Sequence, residues 1–172
     1  MRFLGLVALL AVSVPVARQM TAEVLFSFSN HARRARDINT AADLLRRANE
    51  MRPQDINYAA ARCDLLENLG GIFPQHRAAY TKRALRAAAL AVQAHPHDPG
   101  AFELMASVEL RAAKIWPGLN RAALRSAKRA VELDPLMSFS ASQWLHAAIL
   151  VGDRVEERKA RAHLEMVRGL KK

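Results

Sequence analysis

Three stretches of thirteen residues decide the fold: AADLLRRANEMRP at 41–53, ALRAAALAVQAHP at 84–96 and ALRSAKRAVELDP at 123–135. Each has alanine at its first and eighth positions and proline at its last. Positions one, five and eight share one face of an α-helix, where small side chains let a second helix approach closely. The proline then ends the helix, because it has no amide hydrogen to donate. The stretches therefore predict three similar helices that pack against neighbours.

Hydrophobic periodicity and helix-ending residues extend this pattern along the chain. We expect eight helices, at residues 21–36, 40–51, 56–69, 75–94, 99–114, 120–133, 138–151 and 154–170. Consecutive helices would pair as four antiparallel hairpins. No segment alternates strictly between apolar and polar residues, so no strand is predicted. The last helix is highly charged, as the end of a helical array requires, because its outer side has no neighbour.

At this point the chain resembles the tetratricopeptide repeat family, whose helix pairs end in a similar alanine-and-proline pattern. VELDP at residues 131–135 is especially similar to the family's usual ending. The resemblance implies an all-α fold: a short right-handed α-solenoid of about four hairpins at residues 21–172, after an N-terminal apolar helix at 1–20. The chain departs from the family in its first helices, which lack the full Trp–Leu–Gly–Tyr set. Its prolines Pro53, Pro96 and Pro135 are 43 and 39 residues apart, against about 34 in the family.

The extra residues fall in the loops of the second and third hairpins. The first loop contains Gly70-Gly71-Ile72-Phe73-Pro74, and the second contains Ile115-Trp116-Pro117-Gly118. Both carry an isoleucine–aromatic–proline triplet. Phe73 and Trp116 would either close the end of each hairpin or form an exposed docking site.

The resemblance also implies a binding surface, because first helices line the concave face of the family's arrays and partners bind there. By position, the residues on that face are Asn57, Asp64, Glu67, Asn68, Glu103, Ser107, Arg111, Ser142 and His146. The set is polar and contains three acids. We therefore expect it to bind a basic or polar peptide segment of a partner protein.

The N-terminus carries an uncharged run, FLGLVALLAVSVPVA at residues 3–17, between Arg2 and Arg18. The run is shorter than the ~20 residues that a membrane-spanning helix needs and has the length of a secretory signal. We expect residues 3–20 to anchor the chain in an inner membrane with the repeats in the periplasm. Cleavage and secretion to the periplasm is the alternative. The many arginines between residues 18 and 47 argue for the opposite orientation.

The formal net charge is +10, from 26 Lys and Arg against 16 Asp and Glu. Most of the cations fall on the second helices, which the resemblance places on the convex face. This basic convex face would either contact anionic lipid headgroups or be an ordinary solvated basic surface. The single cysteine, Cys63, can form no intrachain disulfide, and its alanine-rich surroundings predict a buried position.

No sequence motif of catalysis or of cofactor binding is found. His95-Pro-His97-Asp98 has metal-ligand residue types, but it follows a helix end and is read as a turn. Nucleic acid is not the expected partner, because aromatic residues are not interleaved with the cations. The predicted function is a non-enzymatic, membrane-tethered adaptor that binds and stabilises proteins of a bacterial-type envelope complex for polysaccharide synthesis, pilus assembly or secretion. The alternatives are an accessory subunit of a membrane enzyme, such as a glycosyltransferase or ligase, and a helical protein that binds nucleic acid or another anionic polymer.

Overall fold

A computed structural model describes residues 2–53 and 55–170, and it describes side chains from Pro15 onward. Helices make up almost all of these residues. Their bounds are α1 Arg2–Arg34, α2 Ile38–Met51, α3 Ile56–Ile72, α4 Arg77–Ala94, α5 Pro99–Ala112, α6 Asn120–Leu133, α7 Ser138–Val151 and α8 Arg154–Gly169. Short 3₁₀ turns at Pro74–His76 and Pro117–Leu119 precede α4 and α6. These ranges contain no strand. The predicted all-α fold is confirmed, and the bounds of α6 and α7 are the predicted ones.

Aspartates fix the starts of four helices. Asp37, Asp55, Asp98 and Asp153 each accept a hydrogen bond from a backbone amide in the first turn, at 2.8 to 3.1 Å. Such a cap satisfies one of the amides that have no partner within the helix. The turn between α7 and α8 uses Gly152 in the left-handed conformation, with φ 76°. Glycine adopts that backbone without steric cost, so the turn stays short.

The core runs along the array between successive helices, each of which packs against the next. It is built largely of small residues, and Ala48, Ala91 and Ala130 of the three repeated stretches are all buried. Leu45 is fully buried where the other two stretches have Ala88 and Ala127. The predicted packing face of the second helices is therefore confirmed.

The first predicted loop is shorter than expected, because α3 continues to Ile72 and includes both glycines. A Cβ at Gly70 would lie 3.3 Å from Cγ of Arg77, so Gly70 allows close approach of the start of α4. Phe73 is the first residue beyond α3. Gly70 thus marks a close contact between two helices, and the prediction that the glycine pair lies in the loop was wrong.

Helix α1 starts well before the predicted Thr21 and is continuous from Arg2 to Arg34. Its inner face, which includes Ala22 and Phe26, packs against residues of α2 and α3 such as Ala48 and Tyr58. The anchor predicted at residues 3–20 lies mostly outside the residues whose side chains are described. Within the described part of the chain, no helix is long and apolar enough to cross a bilayer.

Cys63 lies in the core between α3 and α4, where its Sγ is 3.4 Å from the carbonyl oxygen of Ala84 and donates to it. Burial raises the pKa of this thiol to about 12. The thiol therefore stays protonated at neutral pH and acts as a small packing group.

Candidate protein-binding groove

Two cavities open beside α3 and share the side chains of Glu67 and Asn68. The first has a volume of about 520 Å³ and is lined by Arg33, Ile38, Leu65, Glu67, Asn68, Gly71 and Ile72. The second has a volume of about 260 Å³ and is lined by Glu67, Asn68, Arg77, Thr81, Arg111 and Lys114. We call these two adjoining cavities together the groove; their lining residues extend from the junction of α1 and α2 to the end of α5.

The two ends of the groove differ in chemistry. Ile38, Leu65, Gly71 and Ile72 give the first cavity an apolar wall, and a Cβ added at Gly71 would meet no atom within 4 Å. The second cavity is lined by three cations, Arg77, Arg111 and Lys114. An extended chain that crosses the groove would therefore meet an apolar surface and then a positively charged one.

Arg111 joins α5 to α3 inside the groove. Its Nη1 lies 2.6 Å from Oε2 of Glu67 and 3.5 Å from Oδ1 of Asp64. Its Nη2 donates to Oγ of Ser107, one turn earlier on α5, at 3.2 Å. The structure thus brings together four of the residues predicted from sequence, and it uses them to bind one another.

This network reduces the negative charge that a partner would meet. The carboxylates of Asp64 and Glu67 both pair with the single guanidinium of Arg111. In the described ranges no carboxylate forms an ion pair with Arg33, Arg77 or Lys114. The lining of the groove therefore carries more cations than carboxylates, whereas the sequence analysis predicted a surface for a basic or polar segment.

Glu67 has the most perturbed carboxyl group of the groove. Burial raises its pKa to about 7, although the nearby Arg111 acts in the opposite direction. Its Oε1 is buried and accepts no hydrogen bond within the described part of the chain. The net charge of the groove therefore changes near neutral pH.

The other predicted site residues lie outside the groove. Glu103 accepts a hydrogen bond from Oγ of Ser140 at 2.9 Å, and this contact links α5 to α7. Asn57, Ser142 and His146 are exposed, the first at the start of α3 and the others on α7. The sequence also missed Arg33, Ile38, Arg77, Thr81 and Lys114. Four of these lie at or next to turns or caps (Arg33, Ile38, Arg77 and Lys114). The lengthened loop predicted around Gly71 was the one sequence signal that pointed to this end of the hairpins.

The two loop aromatics are in different surroundings. Phe73 is 39% exposed just beyond α3. Trp116 is half-buried, and Nζ of Lys82 lies 5.8 Å from the centroid of its ring. The Lys82 contact ties the loop before α6 to α4.

Asp98 of the His95–Asp98 segment caps α5 by accepting a hydrogen bond from the amide of Gly100 at 2.8 Å. Among the residues described, no three His, Cys, Asp or Glu side chains are grouped so as to hold a metal ion.

No protein-family model and no curated protein matches the chain. Solved structures do match it in fold. A double mutant of MamA (MamA RS-1 ArsTM) has a TM-score of 0.65 and 15% identity, covering 87% of this chain and 76% of that one. The first TPR of Spaghetti (RPAP3), bound to the HSP90 peptide SRMEEVD, has a TM-score of 0.60 and 15% identity over 78% and 96%. TTC0263, a thermophilic TPR protein of Thermus thermophilus, has a TM-score of 0.58 and 20% identity over 85% and 72%. The chain therefore has a tetratricopeptide-type fold.

Proposed function

We propose that this tetratricopeptide-type chain is a non-enzymatic adaptor that holds an extended segment of a partner protein in the groove beside α3. The main supporting observation is that the groove has an apolar wall next to two cations, Arg77 and Lys114, that form no ion pair with a carboxylate in the described ranges. Arg77 and Lys114 would bind a carboxylate of the segment. Ile38, Leu65 and Ile72 would cover one of its apolar side chains.

An acidic segment agrees with what is seen in one protein of similar fold. The RPAP3 domain holds the peptide SRMEEVD, which contains acidic and apolar residues. The identity between the two chains is only 15%, so the likeness supports the general mode of binding and identifies no partner. The partner segment is therefore defined by the chemistry of this chain's groove.

We also propose that the adaptor is tethered to a membrane and acts in a bacterial-type envelope complex, such as one for polysaccharide synthesis, pilus assembly or secretion. The support is the uncharged sequence at residues 3–17 and its continuation into α1 as one helix. Residues 3–20 would lie in the inner membrane and the repeats in the periplasm. Cleavage and release to the periplasm is the alternative, and reporters of topology and processing fused after Lys172 distinguish the two.

Photocrosslinking from inside the groove tests the holding role. A photoreactive amino acid replaces Asn68, which is exposed and lines both cavities. The matched control carries it at Arg121, an exposed position on α6. We expect a discrete crosslinked protein from position 68 in cells and none from position 121. The same pattern of crosslinks from both positions would contradict the proposal.

The charge of the groove gives a second arm to this experiment. Replacing Arg77 and Lys114 by glutamate should remove the crosslink, because an acidic segment would then face like charges. Arg121→Glu should leave it unchanged. Identification of the captured protein as a membrane transferase or ligase would favour the accessory-subunit alternative.

A further inference from the structure

Arg62 occupies a position that the repeat elsewhere gives to the core. It lies seven residues after Asp55, the cap of α3, and the residues seven after the caps of α5 and α7 are Met105 and Trp144. Met105 and Trp144 both pack into hydrophobic clusters. Arg62 is half-buried at the equivalent place. A guanidinium therefore replaces an apolar or aromatic side chain between α2, α3 and α4.

Two further arginines lie beside Arg62. Arg46 of α2, Arg62 of α3 and Arg83 of α4 line a cavity of about 220 Å³ that has Leu65 and Leu66 in its wall. We call this cavity the arginine pocket. Asp43 of α2 is its one acidic lining residue.

The acidic groups of α2 are already paired. Asp43 lies 2.7 Å from Nη2 of Arg46 and 2.8 Å from Nε of Arg47, and Glu50 lies 2.9 Å from Nη1 of Arg46. Helix α4 contains no acidic residue at all. Within the described ranges, neither Arg62 nor Arg83 has a carboxylate partner. The arginine pocket therefore carries uncompensated positive charge.

The equivalent site in the last hairpin shows what is missing. There, Nε1 of Trp144 donates to Oε2 of Glu156 at 3.2 Å, so α8 supplies an acceptor for the polar atom. Helix α4 supplies none for Arg62. Burial lowers the pKa of Arg62; Cys63 and Glu50 act in the opposite direction, and the weaker repulsion from Arg46 and Arg83 lowers it further. A half-buried cation in such surroundings is stabilised by an anion that enters the pocket.

We propose that the arginine pocket binds a phosphate group. A phosphate offers acceptor oxygens in several directions, so it can accept from Arg62 and Arg83 on two different helices, and arginine forms such bonds in pairs. Arg46 lies beside them but already donates to Asp43 and Glu50. Leu65 and Leu66 beside half-buried Arg62 lower the local dielectric there and strengthen its contact with the anion. The group is either free inorganic phosphate or the phosphodiester of an anionic lipid headgroup.

Titration of the full chain with inorganic phosphate at constant ionic strength tests the site. Calorimetry should show saturable binding to the native chain. Arg62→Met should weaken it at least about tenfold, because it removes the central charge-assisted hydrogen bonds. This variant introduces the residue that hairpin three has at the equivalent position, so the fold should be kept. Arg83→Gln should also weaken binding, and Arg121→Gln, a matched exposed arginine outside the pocket, should not.

Vesicles distinguish the two sources of phosphate. If the lipid headgroup is the ligand, sedimentation with phosphatidylglycerol vesicles should exceed that with phosphatidylcholine vesicles, and Arg62→Met should remove the excess. If free phosphate is the ligand, calorimetric binding should depend on Arg62 and vesicle binding should not. The proposal is overturned if phosphate binding is absent, or if Arg62→Met and Arg121→Gln have equal effects. Arg62→Met should leave the crosslink from Asn68 intact. Failure of the phosphate-binding proposal can therefore be distinguished from failure of the proposed partner binding in the groove.

Discussion

Nη1 of Arg111 lies 2.6 Å from Oε2 of Glu67, and this contact connects α5 to α3 within the groove. The two side chains are unequally solvated: Glu67 is 17% exposed and Arg111 is 41% exposed. Burial outweighs the attraction of Arg111, so the pKa of Glu67 rises to about 7. The contact between the two helices is therefore an ion pair above that pH and a neutral–charged hydrogen bond below it.

The free energy of unfolding should depend on pH through Glu67. Its carboxyl has an ordinary pKa of 4.5, and in the folded chain the pKa is about 7. Between these values the folded state holds a proton that the unfolded state has lost. Stability from this group therefore falls as pH rises from about 4.5 to about 7. We expect a loss of about 1–3 kcal/mol, because each unit of pKa shift is worth about 1.4 kcal/mol at most.

Glu67→Gln is the variant that isolates this effect, since glutamine does not titrate. Chemical denaturation at pH 5 and pH 7.5 should show a larger stability advantage of Glu67→Gln over the native chain at the higher pH. Other titrating groups cancel in the difference between the two chains. An advantage that does not change with pH would show that Glu67 ionises normally.

Gly71→Leu should block the groove without damaging the fold. A side chain at Gly71 meets no atom within 4 Å, and the position lines the apolar cavity. Leucine should also stabilise α3 by about 0.5–1 kcal/mol, because glycine is a poor helix residue. We expect recovery of the partner with an affinity-tagged chain to fall at least about tenfold.

Gly118→Leu provides the matched control for this prediction. Gly118 also has open space around its Cβ position, but it lies in the turn before α6 and does not line the groove. Partner recovery should be unchanged. Equal loss with both variants would show that the partner binds elsewhere.

Most of the fold follows from local sequence rules. Proline ends each of the three repeated stretches and hydrophobic periodicity marks the other helices, so most bounds could be predicted closely, and those of α6 and α7 to the residue. Gly70 shows where such rules fail. Gly70 allows the close approach of Arg77 from the other helix of the hairpin. A contact between two helices cannot be recognised from the sequence around either residue.

The groove could be predicted only in part, because positions on one helix follow from the sequence whereas contacts between helices do not. Counting along helices placed Asp64, Glu67, Ser107 and Arg111 on one surface, and the structure joins them. Counting could not show that Arg111 pairs with Asp64 and Glu67, because that depends on the distance between α3 and α5. It also missed Arg77 and Lys114, at the start of α4 and just beyond α5, whose positions depend on how the hairpins stack.

Leu45→Ala should be among the most destabilising substitutions in the first hairpin. Leu45 is fully buried and packs with Ala41 and Leu65. Removing three carbon atoms there leaves a cavity, and the expected cost is roughly 2–5 kcal/mol in the free energy of unfolding. Leu90→Ala makes the same chemical change at a half-exposed position on α4 and should cost less than about 1 kcal/mol. Similar costs from urea denaturation of the two variants would contradict the assigned core.

Ala130→Leu tests the close approach of helices that the repeated alanines permit. Ala130 has no exposed surface and lies on α6, which packs against both α5 and α7. A larger side chain must displace one of those helices, so we expect a loss of roughly 1–3 kcal/mol and a lower melting temperature. Arg129→Leu adds a leucine one residue earlier, at an exposed position that pairs with Glu132 across 3.1 Å. That exposed pair is worth at most about 1 kcal/mol, so the control should melt close to the native chain. An unchanged melting temperature for Ala130→Leu would show that α6 is not in close contact with its neighbours at this residue.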